Sequence, residues 1–168
     1  MVVIGAGKPG DRSYLPLATR RGRNIENTLR MERAPEALRV SVKEWRRLRP
    51  AAQLRSITAV YDCMGLVFAC RRTCVELGEL DKILHDDEYQ RLMRPEEVEI
   101  GDIVIYYDGH RATHVGIVVD VGRHLTTTRS ITVMSKWGGD GEYIHPVDHV
   151  PDAYGQHIEY WTERKLKT

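Results

Sequence analysis

An α+β fold is predicted by three features of this chain. Apolar residues recur at helical spacing through the first half. The second half alternates apolar and polar residues in short runs. Glycine-rich turns separate those runs. Helices followed by an antiparallel meander define the α+β class. With 168 residues, 42% of them hydrophobic, the chain can bury a core without disulfide or metal staples.

The stretch 1–24 holds Gly5, Gly7, Pro9, Gly10, Pro16 and Gly22, a composition for irregular structure. Residues 25–55 read mostly as helix. Ile25, Leu29 and Met31 precede a break near Pro35, and Ser41 is placed to cap a helix over 42–48 that Pro50 ends. The strongest helical pattern covers 62–78. Asp62 caps it, Leu66, Val67, Cys70, Cys74 and Leu77 recur at helical spacing, and Gly78 ends it. A loop follows, with a short helix around 87–93 closed by Pro95. Strands are expected at 103–107, 114–121, 130–137 and 157–161, the third with Ile131, Val133 and Ser135 on one face. The organisation is an N-terminal extension, 1–55, irregular and then helical, followed by a main domain, 56–168.

Charge and composition narrow the partners. A net charge of +1 gives no reason to expect nucleic acid. Basic clusters at Arg20-Arg21-Gly22-Arg23 and Arg46-Arg47-Leu48-Arg49 read as solvated faces, with docking of an anionic protein partner as the alternative. No apolar run reaches membrane-spanning length, and the N-terminus lacks the pattern of a signal peptide. Cys63, Cys70 and Cys74 are an odd number crowded together, which is not a disulfide framework. The expectation is a soluble, cytoplasmic protein with no membrane partner, export by a specialised system remaining open.

The chemistry centres on Cys63, in Tyr61-Asp62-Cys63-Met64-Gly65-Leu66-Val67. A cysteine opening a helix, with a histidine far downstream on a strand, is how a Cys–His nucleophilic pair is built. The helix N-terminus should favour the thiolate, and a nearby imidazole can shuttle its proton. His114, in His114-Val115-Gly116-Ile117-Val118, is the candidate base. Gly116 shares its face and should let a helix come close. Tyr61, Asp62 and Gly65 are the expected substrate contacts, Gly65 leaving room for a substrate backbone. Cys70 and Cys74 read as core residues on the same helix face.

Asp62-Cys63-Met64-Gly65-Leu66-Val67, Gly101-Asp102-Ile103-Val104 and His114-Val115-Gly116-Ile117-Val118 resemble the three signature blocks of the NlpC/P60 family, in the family's order. The resemblance covers about residues 60–120. It implies a papain-like cysteine peptidase or amidase without a cofactor, in which Cys63 attacks the amide bond of a peptide or cell-wall-derived substrate and His114 is the base. Relatives on this scaffold perform acyl transfer. Met64 stands where the family usually has serine, which puts the usual substrate in question. The third catalytic residue, a polar side chain that orients the base, is expected to be His145, with Ser135 as the alternative and His124 read as a turn residue.

Two other signals are set aside. Gly5-Ala6-Gly7-Lys8-Pro9-Gly10 has the spacing of a dinucleotide loop, but Pro9 and Pro16 deny it the following helix. His110 and His114 are four apart but span a strand-to-strand turn, so a zinc site that includes a cysteine is the alternative from another class. A papain-like domain that binds without turnover is a third.

Overall fold

A computed structural model describes residues 3–4, 14–123, 129–139 and 141–164; the stretch 5–10, His124 and Asp140 lie outside them. In chain order the elements are β1 (Val3–Ile4), β2 (Leu17–Ala18), β3 (Asn27–Thr28), α1 (Pro35–Leu48), β4 (Gln53–Ile57), α2 (Cys63–Phe68), β5 (Cys74–Val75), α3 (Leu80–Asp86), β6 (Gln90–Leu92), β7 (Ile103–Asp108), β8 (Arg111–Arg123), β9 (Arg129–Trp137), β10 (Gly141–Pro146) and β11 (His157–Thr162). Seven strands form one antiparallel sheet in the order β4-β10-β9-β8-β7-β11-β6. The architecture is α+β, as expected. Among the described residues, no helix is long and apolar enough to cross a membrane.

Strand alternation divides the core into two layers. Ile103, Ile105 and Val115 face one way and pack with Met64 and Phe68 of α2 and Leu80, Ile83 and Leu84 of α3. Val104, Tyr106, Val118 and Val133 face the other way, packing with Leu92, Val98 and Val150. Both faces are covered, so β7 is apolar nearly throughout. The edge of Trp45 on α1 meets Trp137 on the second face, ring centroids 5.6 Å apart.

Several local expectations are corrected. Pro35 begins a helix instead of breaking one, because at the first helical position its missing N–H costs nothing. Ser41 lies inside α1, whose buried face is Leu38 and Val42. Asn27–Thr28 pairs with Cys74–Val75 as strand. The short helix falls at Leu80–Asp86, ahead of 87–93, because Leu80, Ile83 and Leu84 supply its apolar stripe. Three strands of the seven-stranded sheet were not expected, among them Gln90–Leu92, inside the stretch 87–93 expected as the short helix. Gln53–Ile57 is a polar edge strand across the boundary drawn at residue 55, and Gly141–Pro146 continues straight from the glycine turn.

The helix expected over 62–78 stops at Phe68. Cys70 and Arg71 adopt φ of 49° and 63°, which no helix continues. Gly65 carbonyl accepts from both Ala69 N–H and Arg71 N–H at 3.2 and 3.0 Å, closing the end. The Arg71 guanidinium then reaches Glu142 at 2.8 Å. Cys70 is therefore exposed, Cys74 buried, and the three cysteines share no helix face.

The segment 14–28 is fastened to α3. Arg23 grips Asp86 through Nε and Nη2, both at 2.6 Å, and the Thr19 hydroxyl donates to the same carboxylate at 2.7 Å. These bonds, the Arg23 pair first, hold the Asp86 carboxyl well below its ordinary 3.8. A carboxyl depressed in the folded state contributes stability above its unfolded pKa and loses it as pH falls through the folded value. Asp86→Asn should lower Tm at pH 7, with the difference from wild type shrinking below about pH 4; an equal difference at pH 7 and pH 2 would contradict this. Gly116 makes a second prediction. A Cβ there would lie 2.5 Å from Val133 Cγ1, so Gly116→Ala should cost about 1–3 kcal/mol in denaturant unfolding.

Candidate functional site

Asp62 organises the loop that carries the sulfur. Its carboxylate caps α2 by accepting from Gly65 N–H at 2.7 Å, and also accepts from Val75 N–H at 3.2 Å. Tyr61 is buried. Its hydroxyl donates to Glu142 at 2.7 Å, and the Lys136 ammonium lies 4.8 Å from its ring centroid. The space beside Gly65 is filled, since a Cβ would fall 1.9 Å from the Thr73 carbonyl oxygen. Tyr61, Asp62 and Gly65 thus hold the Cys63 loop against β5 and β10.

Cys63 occupies the first position of α2 and packs beside the first core layer, which includes Val115. Burial, and then the Asp62 charge, push its thiol up to about 12. The N–H groups of Val115, Met64 and Cys63 oppose this and are outweighed. The expected lowering at a helix N-terminus is overturned for two physical reasons. The helix has only six residues, and its cap is itself an anion beside the sulfur.

His114 points to the opposite face from Val115. Its ring stacks on Tyr154, centroids 3.9 Å apart and planes within 5°, with Tyr106 at 5.6 Å. Nε2 is buried, and none of the described residues hydrogen-bonds it. Burial, and then His145, lower its pKa to about 3, so the ring is neutral. No hydrogen bond joins Cys63 to His114. The structure brings them to adjacent positions of β8, the sulfur near Val115 and the imidazole one residue before it. Gly116 meets Val133 and Ser135 across the sheet, so its smallness serves strand packing, not helix approach.

The two candidates for a third residue bond to each other. Ser135 and His145 are 2.8 Å apart, and Trp137 Nε1–H donates to Ser135 Oγ at 3.0 Å. The Pro146 carbonyl, 2.7 Å from His145 Nδ1, can only accept, so Nδ1 carries the proton and Ser135 donates to Nε2. Burial lowers His145 to about 4, in keeping with one neutral tautomer. Neither side chain hydrogen-bonds His114.

Tyr154 is the residue the sequence reading missed. Burial raises its phenol to about 12, and the nearby Cys63 adds to this. Tyr154 therefore lies directly on the imidazole, with the Cys63 thiol near enough to act on its phenol through charge. The pair Tyr154-Gly155 was visible near the C-terminus, but an aromatic residue in a loop carries no signal of its partner.

Elsewhere, a cavity of about 800 Å³ opens among Tyr14, Leu15, Pro16, Asn24, Glu26 and Glu76, none of which belongs to this constellation. His110 lies in the two-residue turn between β7 and β8. Among the described residues, no group of three or more His, Cys, Asp or Glu side chains is placed to hold a metal ion. Compared with models of known families, with curated proteins and with solved structures, the chain matches none.

The cysteines should differ in reactivity. Iodoacetamide at pH 7 should modify exposed Cys70 first, with Cys63 and Cys74 slow because their thiols are held up at about 12 and about 11. Peptide mass spectrometry reads the order. Cys63 labelling ahead of Cys70 would show that its resting thiol is not neutral.

Proposed function

We propose that this chain is a papain-like cysteine hydrolase that cleaves an amide bond through an acyl-enzyme on Cys63. The observation that supports the reading is the placement of Cys63 at the opening of α2, beside Val115, with His114 the preceding residue of the same strand. A nucleophile on a helix start and a base on a neighbouring strand is the arrangement this chemistry uses, and here a change of side-chain rotamer on substrate binding would have to bring the sulfur and the imidazole together. The resemblance to NlpC/P60 signature blocks at Asp62-Cys63, Gly101-Asp102 and His114-Val115-Gly116 points the same way.

In this mechanism both partners rest neutral. The Cys63 thiol attacks the substrate carbonyl carbon as its proton passes to His114, forming the C–S bond. His114 then gives that proton to the departing amine as the C–N bond breaks. Water, or another acceptor in a transferase, attacks the thioester and regenerates the thiol. The neutral pair predicts that proton transfer accompanies attack, without a preformed thiolate–imidazolium. The N–H groups beside the sulfur are candidates to receive the developing oxyanion.

A second reading draws on the His114 Nε2 without a partner and the aromatic ring lying over the imidazole. Those features also suit a papain-like domain that binds a peptide without turning it over.

The test uses fluorogenic peptide amides and a peptidyl acyloxymethyl ketone as active-site label. Wild type should release the amine and take the label on Cys63. Cys63→Ala should abolish both. His114→Ala should reduce turnover by about 10²–10⁴-fold, and Cys74→Ala should lower stability by cavity formation more than activity. Turnover that survives Cys63→Ala sinks the mechanism. A wild type inert to the panel, with Cys63 unlabelled, favours the binding domain.

A further inference from the structure

Among the described residues none hydrogen-bonds His114 Nε2, and a stacked ring lies over the imidazole instead. We infer that Tyr154 is the positioning residue of the base, holding the His114 imidazole in plane by stacking where a papain-like site would use a polar side chain. This rests on the hydrolase reading and deepens it.

The polar candidates are already committed. Ser135 accepts from Trp137 and donates to His145, and His145 uses its other nitrogen on Pro146. His114 has no such bond, and its Nε2 is buried and unpartnered. An imidazole without a hydrogen bond is free to rotate about its terminal side-chain torsion, whose wells are broad. A base that rotates loses its line to the sulfur, and misplacement of a reacting group is costly. The ring contact supplies the missing constraint. The Tyr154 and His114 planes lie within 5° at 3.9 Å, and Tyr106 covers a second side at 5.6 Å.

Tyr154 can act this way because it is itself fixed at both ends. Gly138 N–H donates to its hydroxyl at 2.8 Å, and the Thr113 hydroxyl, next to His114 in the chain, donates to its carbonyl at 2.5 Å. Its own N–H donates to Pro151 O at 2.9 Å within a single tight turn. The ring thus spans from the end of β9 to the start of the apolar run of β8, and the imidazole lies beneath it. Stacking contacts the ring face and not its edge, so it takes up neither nitrogen's hydrogen-bonding capacity, which a base that must accept and return a proton requires. The titratable groups facing His114 are Tyr154 on this turn, Tyr106 on β7 and His145 on β10.

Three variants test the inference, each read by turnover of the same fluorogenic amides and by 15N NMR titration of the His114 ring. Tyr154→Leu removes the stack. It should lower kcat by about 10²-fold with KM changed less than about twofold, and the His114 pKa should rise from about 3 towards its ordinary 6.5. Tyr154→Phe keeps the ring and loses only the hydroxyl, and should restore most of kcat and the low ring pKa. Thr113→Val, which frees the Tyr154 carbonyl but leaves the ring, should shift both readouts in the direction of Tyr154→Leu by less, and decides the matter if Tyr154→Leu does not fold. A Tyr154→Leu protein with wild-type kcat and ring titration overturns the inference. So does Tyr154→Phe failing as badly as Tyr154→Leu, since the hydroxyl and not the stack would then matter. A wild type without thiol-dependent turnover overturns the hydrolase reading instead, and the ring titration still reports whether the stack holds the imidazole.

Discussion

Alternation along β8 governs the site. Successive side chains of a strand leave on opposite faces, so His114 and Val115 cannot share a layer. Val115 joins the layer beneath α2, where Met64, Phe68 and Cys63 lie. His114 enters the other layer, against Tyr106 and Tyr154. The Cys63 loop and the imidazole therefore approach β8 from two sides. The rest of the sheet serves to fix that strand, β7 on one edge and β9 on the other. Gly116 is part of this, because a side chain there would push β9 away at Val133 and Ser135.

Burial, more than hydrogen bonding, determines the protonation of the pair. A thiol and an imidazole each lose their charged form when water is withdrawn. The thiol moves up, the imidazole moves down, and the two end far apart. The N–H groups around Cys63 work against this but are opposed in turn by the Asp62 carboxylate that orders the loop. The same carboxylate has two effects of opposite sign. It caps α2 and holds Val75, and it raises the energy of a thiolate beside it. A short helix with an anionic cap is a poor device for lowering a thiol pKa. In the hydrolase reading, a substrate that completes the desolvated site must therefore bring the proton transfer with it.

Much of the β half was legible because its signals are local. Alternating apolar residues and glycine turns placed β7, β8, β9 and β11 within a residue or two, apart from the start of β8. Asp62 as a cap was legible for the same reason, a side-chain oxygen ahead of an apolar run. The helix over 62–78 failed because its end depends on contacts distant in sequence. Arg71 turns left-handed and reaches Glu142 on β10, a partner that no periodicity reveals. The Asp62–Cys63 helix start and the His114 strand could be read, but not the face each side chain would take relative to the other. Tyr154 could not be read at all. Its ring contact with His114 crosses forty residues of chain and is held by Gly138 and Thr113.

The two buried histidines separate structure from chemistry. His145 uses both nitrogens, one to donate to Pro146 and one to accept from Ser135, whose oxygen accepts in turn from Trp137. A buried network closed in this way commits both His145 nitrogens and the Ser135 hydroxyl proton, and its worth lies in specifying the packing between β9 and β10. His114 lies nearby on the same face, equally buried, and leaves Nε2 unpartnered. An unmet buried nitrogen costs free energy that folding alone gives no reason to keep, and a phenylalanine would fill a similar volume without it. The cost is understandable if the nitrogen is held in reserve for a proton. By that argument the satisfied pair, Ser135 and His145, belongs to the scaffold, while the unsatisfied imidazole, one residue before Val115 of β8, is where chemistry should be sought.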